Sequence, residues 1–171
     1  MKRISLFSML ALSLLSTAAF SQQDKSQRAS PPAVVSQTTA NGLTITIDYS
    51  QPSLKGRTIG KDIAPYGKVW RTGANEATTF EISKDAKIEG KLLKAGKYSL
   101  YSIPGEQEAT VIFNKVWNQW GTVYNEAEDA LRVNVYPKQS AAFNEKMTFA
   151  IEKSGKVTFL WGEGEVGFMV E

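Results

Sequence analysis

The chain has 171 residues, 42% of them hydrophobic, 22% charged and 11% aromatic, with a formal net charge of +3. That apolar and aromatic content supports a packed core and excludes a disordered chain, which would be highly charged and poor in aromatics. There is no Cys and no His, so disulfides, Cys/His zinc sites, thiolate nucleophiles, imidazole bases and His-containing triads are excluded as well.

The first segment reads as a targeting signal. Lys2 and Arg3 precede an apolar stretch from Ile4 to Ala19, and Ala19-Phe20-Ser21 places small residues at a cleavage site. This pattern predicts a signal peptide over 1–21 and export to the periplasm or the extracellular space. The stretch is short for a bilayer span, so no stable membrane insertion is expected after cleavage. Cleavage takes the basic count from 20 to 18, against 17 acidic residues. A nearly neutral mature chain gives no electrostatic reason to expect nucleic acid as a partner.

A polar, Ser- and Gln-rich leader is expected to be flexible over 22–33, followed by a single domain over 34–171. Period-two alternation then dominates. Leu43, Ile45, Ile47 and Tyr49 share one face of a strand, and Phe80 and Ile82 share another. Val111-Ile112-Phe113 is apolar on both faces and belongs inside a sheet. Leu131, Val133 and Val135 alternate with polar residues, as do Met147, Phe149 and Ile151. Val157, Phe159 and Trp161 follow, then Val166, Phe168 and Val170. Turns are expected at Asn41-Gly42, Glu89-Gly90, Lys94-Ala95-Gly96, Pro104-Gly105 and Ser154-Gly155. Gly162-Glu163-Gly164 is expected to join the last two strands. No window has clean helical periodicity, although Asn125 to Leu131 can form a helical turn. The fold class is all-β: an antiparallel, jelly-roll-like β-sandwich with one long structured loop.

That loop, from Tyr49 to Thr79, gathers Arg57, Tyr66, Lys68, Trp70, Arg71, Asn75 and Glu76 among glycines. Loops of this length in compact domains are usually functional or disordered, and this one is too aromatic for disorder. A tight turn across Thr-Gly-Ala-Asn would bring Arg71 to Glu76. The pair then forms either a structural ion bridge, with Asn75 capping backbone amides, or a ligand clamp with the guanidinium gripping an acidic or hydroxylated ligand. Trp117 and Trp120, beside Asn118 and Gln119, suit either a sandwich end-plug or a sugar-stacking platform. Trp161 belongs to the core. Metal binding is limited to oxygen ligands, and the acidic run from Asn125 to Asp129 reads better as a solvated loop. No cofactor-binding motif occurs.

The phrase Pro-Tyr-Gly-Lys-Val-Trp-Arg-Thr-Gly-Ala-Asn-Glu-Ala-Thr-Thr-Phe, Pro65 to Phe80, resembles the secreted bacterial family catalogued as domain of unknown function twenty-nine eleven. Asp48 to Arg57, Leu93 to Leu100 and Val111 to Lys115 are similar to it too. The resemblance spans Val34 to Glu171 and implies an exported, mostly β, single-domain protein; it implies no activity. The composition of the loop around Arg71 and Glu76 points instead to non-enzymatic binding of a small molecule, glycan or cell-wall fragment as the expected function. The alternatives are a protein-interaction or structural module of the envelope and a carboxylate-dependent hydrolase using Glu76. The sequence leaves the oligomeric state open.

Overall fold

A computed structural model describes residues 24–171; the predicted signal peptide lies outside the described residues. The described residues form twelve strands and two short 3-10 turns. β1 (Pro32–Thr38), β2 (Thr44–Ser50), β5 (Thr79–Ile82), β8 (Gly96–Ile103), β9 (Ala109–Asn114) and β10 (Asp129–Val135) make one six-stranded sheet in that order. β11 (Lys138–Ile151) and β12 (Lys156–Met169) form a long hairpin. β6 (Ala86–Ile88) and β7 (Lys91–Leu93) form a short one. Every ladder is antiparallel except that of β3 (Ile59–Gly60) with β4 (Ile63–Pro65).

The period-two pattern explains the layers. Inward residues of the six-stranded sheet, among them Ile45, Ile47, Phe80, Leu100, Phe113 and Val133, meet Met147, Phe149, Val157, Phe159, Trp161 and Phe168 of the hairpin in one core. Phe168 packs against Phe80 and Phe113 at centroid distances of 6.0 and 5.7 Å, and Phe149 meets Tyr49 edge-on at 4.8 Å. Large apolar side chains on both inner faces drive this burial. The result is sandwich-like. Its main sheet is a meander with strands adjacent in chain order, not the crossing order of a jelly roll.

Local chemistry sets the turns. Asn41 Oδ1 accepts from the Leu43 amide at 3.2 Å, and Gly42 takes a φ of +75°. The predicted turn at 162–164 does not form. β12 runs through it as one strand, and Gly162, at φ +60°, sits at an irregularity where it pairs with Asn144. Two alternating runs separated by glycines look like a hairpin in sequence, but a bulge accommodates the same glycines without reversing the chain. The helical turn expected near Asn125 forms as a 3-10 turn over Glu126–Glu128.

Of the residues read as a leader, 24–33 are described, and they lie against the body of the fold through Arg28 and Ser30. Asp24 caps a 3-10 turn over Lys25–Gln27, and β1 begins at Pro32.

Candidate functional site

The segment between β2 and β5 is held at many points. Trp70 and Ser102 exchange both backbone bonds, at 2.7 and 2.9 Å. Glu76 bridges Trp120, and Ser53 bridges Lys146. Inside the loop, Thr78 Oγ1 donates to the Thr72 carbonyl and Thr72 Oγ1 to Ser102 Oγ, each at 2.9 Å. Four non-glycine residues here take left-handed φ values: Lys55 and Ala64 at +49°, Thr72 at +46° and Asn75 at +60°. Each such residue costs roughly 1–2 kcal/mol. They persist only where the surroundings enforce them, and they cluster at functional sites. Thr72 is β-branched and buried, which makes its conformation the least expected of the four.

This bracing shapes a cleft of about 490 Å³ lined by Arg57, Asp62, Trp70, Arg71, Tyr101 and Tyr124, among others. Arg71 lies on the backbone of Gly121, where an added Cβ would stand 2.6 Å from Arg71 Cδ and 2.9 Å from the Asn75 carbonyl oxygen. The Arg71 Nε–H donates to the Gly73 carbonyl at 3.3 Å, and Arg71 makes no ion pair among the described residues. Arg57 gives its donors to the Leu54 and Ser53 carbonyls. Asp62 accepts from the Thr58 amide. Tyr101 donates to the Val123 carbonyl at 2.5 Å and accepts from Gln119 at 3.1 Å; burial pushes its pKa up. Tyr124 is pushed up to about 12 by burial and by the Asp129 carboxylate that accepts its proton at 2.7 Å. Two guanidinium groups against one carboxylate leave the cleft with a cationic excess.

Glu76 is not part of this cleft, which corrects the expected Arg71–Glu76 pair. Thr72 and Asn75, both left-handed, turn the chain between them. Glu76 instead meets the N-terminal segment: Arg28 Nη1 donates to its two carboxylate oxygens at 3.0 and 2.8 Å, and Lys25 Nζ lies 3.1 Å away. Burial raises the Glu76 pKa, but hydrogen bonds from its own amide, Arg28 and Lys25 outweigh it and hold the group at about 2. It is therefore ionised and occupied near neutral pH, unsuited to act as a general acid. Asn75 does not cap loop amides; its Nδ2 donates to the Ser30 carbonyl at 3.0 Å.

Glu76 lines a second concavity, about 440 Å³, with Lys25, Asp48, Lys97, Trp117 and Trp120. Trp117 is 42% and Trp120 49% exposed, so neither plugs the sandwich end. Lys97 sits 5.0 Å from the Trp117 ring. Trp70 stacks on Trp161 at 5.3 Å and 8°. Tyr66 covers Gly60, whose added Cβ would strike its ring. Lys68 is exposed and lines neither concavity.

The nine sequence-predicted residues thus divide. Arg57, Trp70 and Arg71 share the cationic cleft; Glu76, Trp117 and Trp120 share the second concavity; Tyr66, Lys68 and Asn75 line neither. Tyr101 and Tyr124 are not among the residues expected from the sequence, and Asp62 is expected only as a candidate hydrolase carboxylate. Tyr101 carried a readable signal, since it alternates out of phase with Tyr98 and Leu100 along β8. Arg28, Lys25 and Ser30 carried none. Among the described residues no group of three or more Asp or Glu side chains is placed to hold a metal ion. Asn125 caps its 3-10 turn, and Asp129 meets Asn114, Tyr124 and Arg132.

The model of the family described as "Protein of unknown function (DUF2911)" matches residues 30–170. The chain belongs to the DUF2911 family. No curated protein and no solved structure matches it. In this DUF2911 chain the braced loop, the cationic cleft and all nine residues fall within the matched span, while Lys25 of the second concavity lies before it.

Proposed function

We propose that this DUF2911 chain is an exported, non-enzymatic binding protein. Its ligand is an acidic polar molecule, such as a glycan or cell-wall fragment bearing a carboxylate or phosphate. The observation that carries the reading is Arg71: a guanidinium with no carboxylate partner among the described residues, lining a cleft of about 490 Å³ beside Arg57 and two tyrosines. An arginine fork pairs with carboxylate and phosphate in two-pronged fashion. Strained backbone kept around such a group supports pre-organisation for a ligand rather than for folding alone. Thermal-shift measurements with glucuronate, succinate, phosphate and glucose test this. The acidic probes are expected to raise the melting temperature at millimolar concentration, and Arg71→Met to abolish the rise. No rise with any acidic probe would sink the proposal.

A second reading has its own observation. Val116, Trp117, Trp120 and Val123 are 41%, 42%, 49% and 54% exposed on one loop. Exposed aromatics at this density favour contact with a partner protein. The solution mass, alone and after Trp117→Ala/Trp120→Ala, tests for self-association through this loop.

A further inference from the structure

A third cavity lies between the layers. It measures about 300 Å³ and shares Ala64 and Trp70 with the Arg71 cleft, so Trp70 is a wall common to both. Both layers contribute walls, Ala109 and Val111 of β9 and Phe159, Trp161 and Val166 of β12, and segments outside them add Ile59, Tyr66, Pro104 and Pro137. Protein interiors hold few voids larger than a water molecule. An apolar cavity of roughly 150 Å³ already admits benzene, and ligand pockets begin at roughly 300 Å³. This pocket is not a sealed void: exposed residues, Tyr66 and Gln139 among them, also line it.

We propose that this cavity binds an uncharged aromatic molecule of two or three rings. The lining decides the class. The stacked indoles of Trp70 and Trp161, with Phe159, offer aromatic surface to a planar guest; aromatic pairs gain stabilisation beyond area burial. The floor offers little to a polar one. Trp70 and Ser102 spend their backbone amides and carbonyls on each other, and the Trp161 indole N–H donates to the Glu145 carbonyl at 3.3 Å. Glu106 and Lys138, both exposed, also line the cavity with opposite charges, so it selects neither anion nor cation. The site differs in chemistry from the cationic cleft and stands independently of the function proposed for that cleft.

The probe is N-phenyl-1-naphthylamine, a neutral dye that brightens in apolar sites. Wild-type protein is expected to bind it saturably and to show nuclear Overhauser contacts from the dye to the Phe159 and Trp161 rings. Ala109→Phe and Val166→Phe, which fill the cavity from opposite layers, are each expected to weaken binding at least tenfold with the circular dichroism spectrum unchanged. Arg71→Met and Trp117→Ala are expected to leave dye binding intact. Binding that survives both filling variants overturns the proposal, as does binding lost in Trp117→Ala. Absence of saturable binding, or dye contacts that avoid Phe159 and Trp161 in the wild type, overturns it without any variant having to fold.

Discussion

Arg28 Nη1 donates to both carboxylate oxygens of Glu76, at 3.0 and 2.8 Å, and so ties the segment before β1 to the loop between β2 and β5. The same segment is fixed a second time, by the bond from Asn75 to the Ser30 carbonyl. Both anchors fall on residues next to the left-handed turn that separates Glu76 from Arg71. The N-terminal segment therefore forms part of the wall between the two concavities.

The first prediction concerns this pair. The Glu76 carboxyl is held at about 2 in the folded chain, against an ordinary value of 4.5. A depressed carboxyl contributes stability above its unfolded pKa, and that contribution is lost as pH falls from about 4.5 towards 2. Wild type should lose stability over this window more steeply than Glu76→Gln in urea unfolding. At neutral pH the substitution should cost less than about 1 kcal/mol, because the pair is partly exposed. It should also raise amide exchange over 25–30. Equal acid sensitivity in the two proteins would contradict the assignment.

Tyr124 gives the opposite sign. Its hydroxyl donates to Asp129 and accepts from Arg132, each at 2.7 Å, and its pKa is pushed up to about 12. A raised phenol holds its proton longer when folded. Its contribution is fully present below the unfolded pKa of roughly 10 and is lost as pH rises towards 12. Tyr124→Phe should be less stable than wild type at neutral pH by about 1 kcal/mol. The gap should narrow when unfolding is repeated at alkaline pH. A gap independent of pH would refute the hydrogen-bonded network as its origin.

Gly121 tests the support beneath Arg71. A Cβ there would lie 2.6 Å from Arg71 Cδ and 2.9 Å from the Asn75 carbonyl oxygen. Gly121→Ala should therefore cost about 2 kcal/mol through crowding. It should also displace Arg71, so the acidic probes should lose their effect on melting temperature as they do in Arg71→Met. Unaltered probe response in a folded Gly121→Ala protein would show that Arg71 is not positioned by this contact.

Much of the fold was legible because period-two alternation and turn chemistry are local. Asn41-Gly42, Glu89-Gly90 and Ser154-Gly155 each mark a chain reversal, and Val111-Ile112-Phe113 lies inside the sheet. Gly162 and Gly164 misled because a bulged strand and a tight turn draw on the same residue. The candidate site was legible in composition but not in geometry. Its strongest side chains were visible, yet Arg71 and Glu76 face different concavities because the chain turns between them through left-handed Thr72 and Asn75, and the β-branched Thr72 gives no local signal for that conformation. The true partner of Glu76, Arg28, lies 48 residues away in a stretch whose composition suggests only a tether. Long-range pairing of that kind leaves no periodic trace.

Arg71 is proposed as the anion-gripping group of a pre-formed cleft. The most direct measurement follows the Arg71 Nε–H resonance while glucuronate is titrated into the wild-type protein. A saturable shift of that resonance is expected, accompanied by shifts at Arg57 and Tyr101 and absent with glucose. An Arg71 resonance that does not move with glucuronate, succinate or phosphate, in a protein whose remaining spectrum shows it folded, would rule out Arg71 as an anion-binding group.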